Sequence, residues 1–573
     1  MRSRVTALVT ALVTALGLVL ASAGGARGEE ESGMAVPGDF RFASIDGGEI
    51  GFADWAGRPV LVVNTASLCG YTPQLADLQT LWEEYGARGL VVLAVPSDSF
   101  RQELGSEREV SEFCTLQYGL TLPMTAITPV VGEQAHPFYR WLARTAGFVA
   151  PLELPQGPDR PRWAGPRQLG PGREADGTGD SPGCGGGAGI LTACPAGEGP
   201  GPVFIGSEIY RRSGYGPWHP LRIPRVSTVT DLVRVLGWLS PSRFRAAPCA
   251  RPAALHAWHS PAYVAALERA EAEQAVDAQT RVRHGLGTVS NPVFPGMFRR
   301  PATGVGGVML AAALLRGGGV VHVPGGGTHH GLPDRASGFC YLNDPVFAVL
   351  ALRAGGAARV AYVDLDAHHP DGVELAFAGD PAVLVLSVHE EGRWPGTGAL
   401  EDCGAGEVWN LPVPRGLHDD DMARILDALV LPAVERFQPD AVVLQCGADG
   451  LLEDPQSRLA LSNNAHVRAL RALRPLSPRL MVLGGGGYNP WSVGRAWARL
   501  WGEILGQHAP GRLPPEAEAV LRGLRWARPG GGRFVTPQEA WVTTLEDPWR
   551  GGAATEGVAE RLAVLRARLS TWI

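Results

Sequence analysis

The chain has 573 residues, 45% of them apolar, and a net charge of −6 from 51 basic and 57 acidic side chains. At about 150 residues per domain, two or three domains are expected. The apolar fraction excludes a disordered chain, eight Cys exclude a disulfide framework, and the balanced charge excludes a strong field for nucleic acid or anionic membrane.

Residues 1–23 read as a secretory signal. Arg2 and Arg4 precede an apolar run over 5–20, and Ala21-Ser22-Ala23 is a small-residue cleavage site. No later stretch holds 18 uninterrupted apolar residues, so no membrane association is expected after cleavage. Within 36–163, the apolar run 58–67 predicts a buried strand. Leu75, Leu78, Leu81, Trp82 and Tyr85 predict a helix over 72–88, and 90–95 predicts a second strand. That is a β-α-β unit, hence a parallel pair in an α/β fold. Residues 164–202 contain 13 Gly and 6 Pro in 39 positions. They read as a flexible linker or as frame-shifted coding sequence. No Lys occurs anywhere, so every basic side chain is Arg, and the DNA is GC-rich. Such DNA read out of frame yields this Gly/Pro mixture.

Residues 203–510 resume α/β patterning. Apolar runs at 320–323, 360–365, 382–388, 441–445 and 480–483 predict buried strands, each entering a polar or Gly-rich loop. In open parallel sheets, ligands bind at such carboxyl ends. Residues 511–573 form a Pro/Gly-rich extension with a helix over 558–569 and no assigned function.

Two sites stand out. Cys69, in Asn64-Thr-Ala-Ser-Leu-Cys-Gly-Tyr-Thr72, lies between a predicted strand and helix. A helix N-terminus lowers a thiol pKa and makes the sulfur nucleophilic. The second site is a metal constellation. Asp366-Ala-His368 follows one predicted strand and Asp449 another. On an extended segment, alternate side chains point the same way. Two carboxylates and an imidazole suit a hydrolytic zinc with open positions. His329-His330 supplies an adjacent base and acid, with Asp364 and Asp371 as partners that set their tautomers. Gly484-Gly-Gly-Gly-Tyr488 lets backbone approach a ligand, and its Tyr hydroxyl can donate to a carbonyl oxygen as charge develops.

The first region resembles the glutathione peroxidase family through Asn64–Thr72, Val91-Val-Leu-Ala-Val-Pro96, Gln102-Glu-Leu-Gly-Ser106, Glu112-Phe-Cys-Thr115 and His136-Pro-Phe-Tyr-Arg-Trp141. The resemblance implies a thioredoxin-like fold that reduces hydroperoxides with thioredoxin or glutathione. It makes Cys69 the peroxidatic cysteine, Gln102 the residue that polarises thiol and peroxide, and Cys114 a resolving cysteine able to pair with Cys69. Arg162-Trp163 could open the family's next segment, but Ala164-Gly-Pro-Arg167 follows instead. The closing strand and helix are therefore expected to be missing, leaving a sheet edge bare.

Residues 203–508 are similar to the histone deacetylase family, especially the acetoin-utilisation-type deacetylases. The similarity runs through Phe204-Ile-Gly-Ser-Glu-Ile-Tyr210, His259-Ser-Pro261, Asn291-Pro-Val-Phe294, Gly338-Phe-Cys-Tyr-Leu-Asn-Asp344, Pro395-Gly-Thr-Gly398 and the two motifs above. It implies an arginase-like parallel α/β fold and one zinc, held by Asp366, His368 and Asp449. It makes His329 and His330 the catalytic pair, Asp364 and Asp371 their partners, and Tyr488 the carbonyl donor. Phe339, Trp394, Gly338 and Ser290 would line the acyl-lysine tunnel. Asp364, Asp366, His368, Ser387 and Val388 would supply a structural potassium site. Three positions depart from the family pattern. Val289-Ser290 replaces Glu-Asp, removing the rim carboxylate that clamps substrate backbone. Pro370 replaces Gly, and Trp394 replaces Phe.

The resemblances imply a zinc-dependent deacetylase of N-acetyl-lysine in proteins, fused to a thiol peroxidase-like domain. The alternatives are an amide hydrolase of small acetylpolyamine-like molecules, or principally a peroxidase. The leader implies an exported, periplasmic protein, and a separately made deacetylase would be cytoplasmic. No nucleic-acid partner is expected.

Overall fold

A computed structural model describes residues 19–22, 40–67, 75–99, 103–104, 106–146, 201–216, 219–404, 407–526 and 535–572. Most of the leader, Cys69, Gln102, Arg162, Trp163 and all of 164–200 lie outside them.

The N-terminal domain is built on strands β4 (Pro59–Thr65) and β5 (Val91–Pro96), paired in parallel and joined through helix α1 (Leu75–Tyr85). The predicted β-α-β unit is present. The helix is shorter than 72–88, and its last predicted residues form a separate 3₁₀ turn, Gly86–Arg88. Alternation sorts the strand side chains into two layers. Leu61, Val63, Val92 and Ala94 pack under α1 and α2 (Glu107–Tyr118), with Leu78, Val110 and Cys114. Val60, Val62, Val91 and Leu93 pack on the opposite face with Phe42, Phe52 and Phe138 of α3 (Pro137–Ala146). A short hairpin of β2 (Arg41–Ala43) and β3 (Glu49–Gly51) lies alongside. The free edge of β4 is not bare, as the missing closing strand had implied. Strand β1 (Val19–Ser22) pairs antiparallel with Pro59–Val62. That strand comes from the predicted leader, so cleavage after Ala23 would remove it.

The C-terminal domain contains an eight-stranded sheet in the order β11-β10-β9-β12-β13-β8-β6-β7, parallel at every pairing. The strands are β6 (Val203–Gly206), β7 (Phe244–Ala246), β8 (Gly319–Val323), β9 (Val360–Asp364), β10 (Val383–Glu390), β11 (Val408–Val413), β12 (Ala441–Gln445) and β13 (Arg479–Leu483). Both faces are covered by helices, which is why these strands read as continuous apolar runs. Tyr362, Val385, Val443 and Met481 face a layer containing α4 (Arg299–Leu314) and α5 (Asp344–Ala354). Val363, Leu386, Leu444 and Val482 face the layer of α6 (Asn463–Leu473) and α7 (Pro490–Ile504). The extension 511–573 is part of this second layer. Its helix α8 (Val558–Thr571) contributes Leu562 and Leu565 to the core, and the Trp572 ring lies 5.1 Å from Trp409.

Every ion pair among the described residues uses Arg or His as its cation. The pairs that cross between the two domains, Arg458–Glu83 and Arg281–Glu109, are both of the Arg type.

Candidate active site

The carboxyl ends of β9, β12, β13 and β8 bring the predicted hydrolytic residues together. Asp364 is the last residue of β9. Asp366 and His368 lie beyond the strand in a bend, not on the extended segment their spacing implied. They converge because the His368 N–H donates to Asp366 Oδ1 (3.1 Å) and curls the chain. Asp449 likewise sits past β12, in the 3₁₀ turn Ala448–Gly450, and accepts from the Ala367 N–H (3.1 Å).

Asp366, His368 and Asp449 offer ligand atoms all within 4.8 Å of one another, and all three are buried. His368 Nδ1 lies 3.0 Å from Asp449 Oδ2 and 3.2 Å from Asp366 Oδ1. Burial and the charge of Asp366 push the Asp449 carboxyl up. Two dry carboxylates side by side are costly without a cation. The donor set of two carboxylates and one imidazole fits zinc. The surrounding backbone is shaped to these groups. A Cβ on Gly486 would lie 1.9 Å from Asp449 Oδ2, and one on Gly447 2.0 Å from Asp366 Oδ2. The Gly486 N–H donates to Asp366 (2.6 Å).

The His pair lies beside this cluster, with rings 4.0 Å apart. His329 Nδ1 is 2.8 Å from Asp364 Oδ2, and His330 Nδ1 is 2.7 Å from Asp371 Oδ1. Each carboxylate engages Nδ1 and leaves Nε2 for chemistry. The two rings differ in charge. Burial pulls His329 down, but the carboxylates of Asp364 and Asp366 outweigh it and hold it up at about 9. Burial, then the charge on His329, pushes His330 down to about 4. The two environments push the rings apart, His329 toward the cation and His330 toward the neutral form.

Tyr488 is 8% exposed, and its ring lies 5.9 Å from Phe339. Trp394 stands edge-on to His330 at 4.6 Å. A Cβ on Gly338 would fall 2.2 Å from the Trp394 ring, so only Gly admits this larger aromatic there. Pro370 occupies the N-cap of a short helix, Asp371–Phe377, where its missing N–H leaves no internal bond unmade. Ser290 is 2% exposed. Ser387 Oγ lies 2.8 Å from His389 Nδ1.

Three supporting residues escaped the sequence reading. Asp454 accepts from the Tyr488 N–H (2.6 Å), and burial and Asp449 push its carboxyl up to about 8. Asp344 accepts from the N–H groups of Gly327 (2.7 Å) and Thr328 (2.9 Å), pinning the loop before the His pair. Arg225 donates to the Gly485 carbonyl (2.8 Å). Asp344 had a signal as the last residue of the Gly338–Asp344 motif. Arg225 lies 260 residues from its partner and had none.

In the N-terminal domain, Cys69 and Gln102 lie outside the described residues. Cys114 is on α2 at 2% exposure, and burial and Glu103 push its thiol up. Glu103 accepts from the N–H groups of Ser67 (2.9 Å) and Leu104 (2.9 Å), tying the segment before Cys69 to the one after Gln102.

Comparison with known proteins matches residues 219–504 to the histone deacetylase domain and residues 38–143 to glutathione peroxidase. The acetoin utilization protein AcuC of Bacillus subtilis is 34% identical over 328 residues, covering 55% of this chain and 84% of that protein. Histone deacetylase 9 of Arabidopsis thaliana is 34% identical, covering 52% of this chain and 72% of that one. The crystal structure of a histone deacetylase homologue from Aquifex aeolicus superposes with a TM-score of 0.61 at 34% identity. It covers 64% of this chain and all of that one.

Proposed function

The chain belongs to the histone deacetylase family, and on that premise we propose that residues 203–510 form a zinc-dependent amide hydrolase removing acetyl groups from primary amines of the acetyl-lysine type. The observation that carries this reading is the convergence of the buried Asp366–His368–Asp449 triad with two separately anchored imidazoles and Tyr488. Asp366, His368 and Asp449 would hold zinc, which when bound would supply Lewis-acid polarisation of the acetyl carbonyl and of the attacking water. Phe339 and Trp394 flank the substrate's methylene stem. Neutral His330 takes the proton of the attacking water at Nε2. Cationic His329, oriented by Asp364, stabilises the developing negative charge, and the His pair protonates the departing amine. The Tyr488 hydroxyl donates to the carbonyl oxygen as it becomes an oxyanion. Asp364, Asp366, His368, Ser387 and Val388 are the proposed potassium site. Tyr488→Phe should lose about 10²–10³ in kcat while zinc content, measured by mass spectrometry, is unchanged. Turnover at the wild-type rate would refute the role of Tyr488.

A second activity is favoured by the glutathione peroxidase match over 38–143. In it the Cys69 thiolate attacks the peroxide O–O bond, releases alcohol or water, and becomes a sulfenic acid. Gln102 polarises the reacting groups, and Cys114 resolves the sulfenic acid as a disulfide that thioredoxin or glutathione reduces. Cys69→Ser should abolish peroxide consumption and leave deacetylation intact. The proposed location is the periplasm if the leader directs export, and the cytoplasm if the deacetylase is made separately.

A further inference from the structure

Helix α2 of the N-terminal domain lies against Val289 and Ser290 of the C-terminal domain. Ser290, where the family resemblance places a rim carboxylate, has its Oγ 3.5 Å from Glu112 Oε2 on α2. Its neighbour Val289 packs into the apolar cluster of the N-terminal domain. The seat is fastened at both ends of the helix. Near its start Glu109 pairs with Arg281 at 2.9 Å. Past its end the Gly119 carbonyl accepts from Arg458 (3.2 Å), which also pairs with Glu83 at 2.5 Å. Gly119 caps α2 with φ 63°, and a Cβ there would lie 2.8 Å from the Pro455 carbonyl oxygen. The two backbones therefore approach as closely as glycine permits.

Two slots flank the helix. One, of about 230 Å³, runs between Ser111, Thr115 and Leu122 of the N-terminal domain and Arg393, Trp394 and Pro395 of the other. Trp394 lines this slot and also stands edge-on to His330, so the N-terminal domain borders a wall of the reacting site. The other, of about 470 Å³, runs between Arg108 and Glu112 and the pair Asn291 and Ser337. Pockets for small ligands span about 300–1,000 Å³, so the larger slot is of small-molecule size, the smaller one falls below that range, and neither is large enough to seat the surface of a folded protein. The burial of Ser290 to 2% exposure fits the same covering.

We propose that the N-terminal domain is a fixed cap on the deacetylase, making it selective for small N-acetylated amines over acetyl-lysines on folded proteins. This rests on the deacetylase reading above and specifies its substrate class. The cap adds no reacting group; it acts by exclusion.

The test uses the full chain loaded with zinc and two substrates, Nε-acetyl-lysine methylamide and chemically acetylated ubiquitin. Wild type should favour the small substrate by about 100-fold in kcat/KM per acetyl group. The double variant Glu83→Arg/Glu109→Arg opposes Arg to Arg at both fastenings. It should raise ubiquitin deacetylation about tenfold and leave the small substrate within about threefold. Adding Arg458→Glu and Arg281→Glu reverses both pairs and should restore the wild-type ratio, which separates unseating from misfolding. Wild type acting on both substrates within about threefold would overturn the cap, as would an unchanged ratio in the double variant. Absence of turnover on both substrates by zinc-loaded wild type would instead refute the deacetylase reading, and the cap would fall with it.

Discussion

Strand β9 and strand β4 each run in parallel beside a neighbour and end next to their domain's chemistry, but the two ends are secured in different ways. At the end of β9, three carboxylates, two backbone N–H groups and two imidazoles hold one another within a few ångströms, all dry. Past β4, the described support is a single carboxylate, Glu103, accepting from two N–H groups. The Cys114 thiol on α2 is held up by burial and by the charge of Glu103. A hydrolytic centre has to hold several charges at fixed separations and is over-determined.

The largest effect that could break this comparison is on the metal side. Asp449→Ala should abolish deacetylation, falling at least about 10³-fold, and should release zinc on dialysis. Retention of both would mean the ion sits elsewhere. Stability against pH comes next. His322 is fully buried on β8, with Nδ1 3.1 Å from the Val482 carbonyl, and burial pulls its pKa down to about 4. An unfolded His takes up its proton near 6.5, whereas the folded ring resists until about 4. The unfolded state therefore binds more protons in that window, and stability falls as pH drops from 6.5 to 4, by up to about 3 kcal/mol from this group. Thermal unfolding of the C-terminal domain should lose stability across that window, and His322→Asn should make the slope shallower by this group's share, since His219, His259, His389 and His466 are pushed down in the same way. The smallest effect belongs to Cys114. Cys114→Ala should cost about 1 kcal/mol in the N-terminal domain, from the small cavity it leaves. It should leave the first stoichiometric burst of peroxide consumption intact while slowing steady turnover. Loss of the burst would place Cys114 in the first step.

The metal ligands were legible because each lies within four residues of a strand's end, where apolar patterning stops and one polar residue stands out. Asp366 and His368 are two residues apart, and even their unforeseen bend left them together. Strand β9 ends one residue earlier than the apolar run 360–365, because Asp364 turns its carboxylate to His329 and Tyr362. Other features had no local signature. Asp454 holds the Tyr488 backbone from 34 residues away. The pairing of β1 with β4 follows from main-chain groups that any sequence carries. The extension's place in the core depended on where α8 docks, which its Pro/Gly-rich composition and its predicted helix did not specify. The docking of α2 on the C-terminal domain rests on a few ion pairs and one glycine, which in sequence look like ordinary surface polarity.

The arginine-only chemistry of the chain has a practical consequence. A protein proposed to liberate amines carries no side-chain amine of its own. Acetyl donors have no lysine to modify on it, so the seams between its domains cannot be neutralised by the modification it is proposed to erase. An amine-reactive dye added to a reaction would label the product, and on the enzyme would find only the chain terminus.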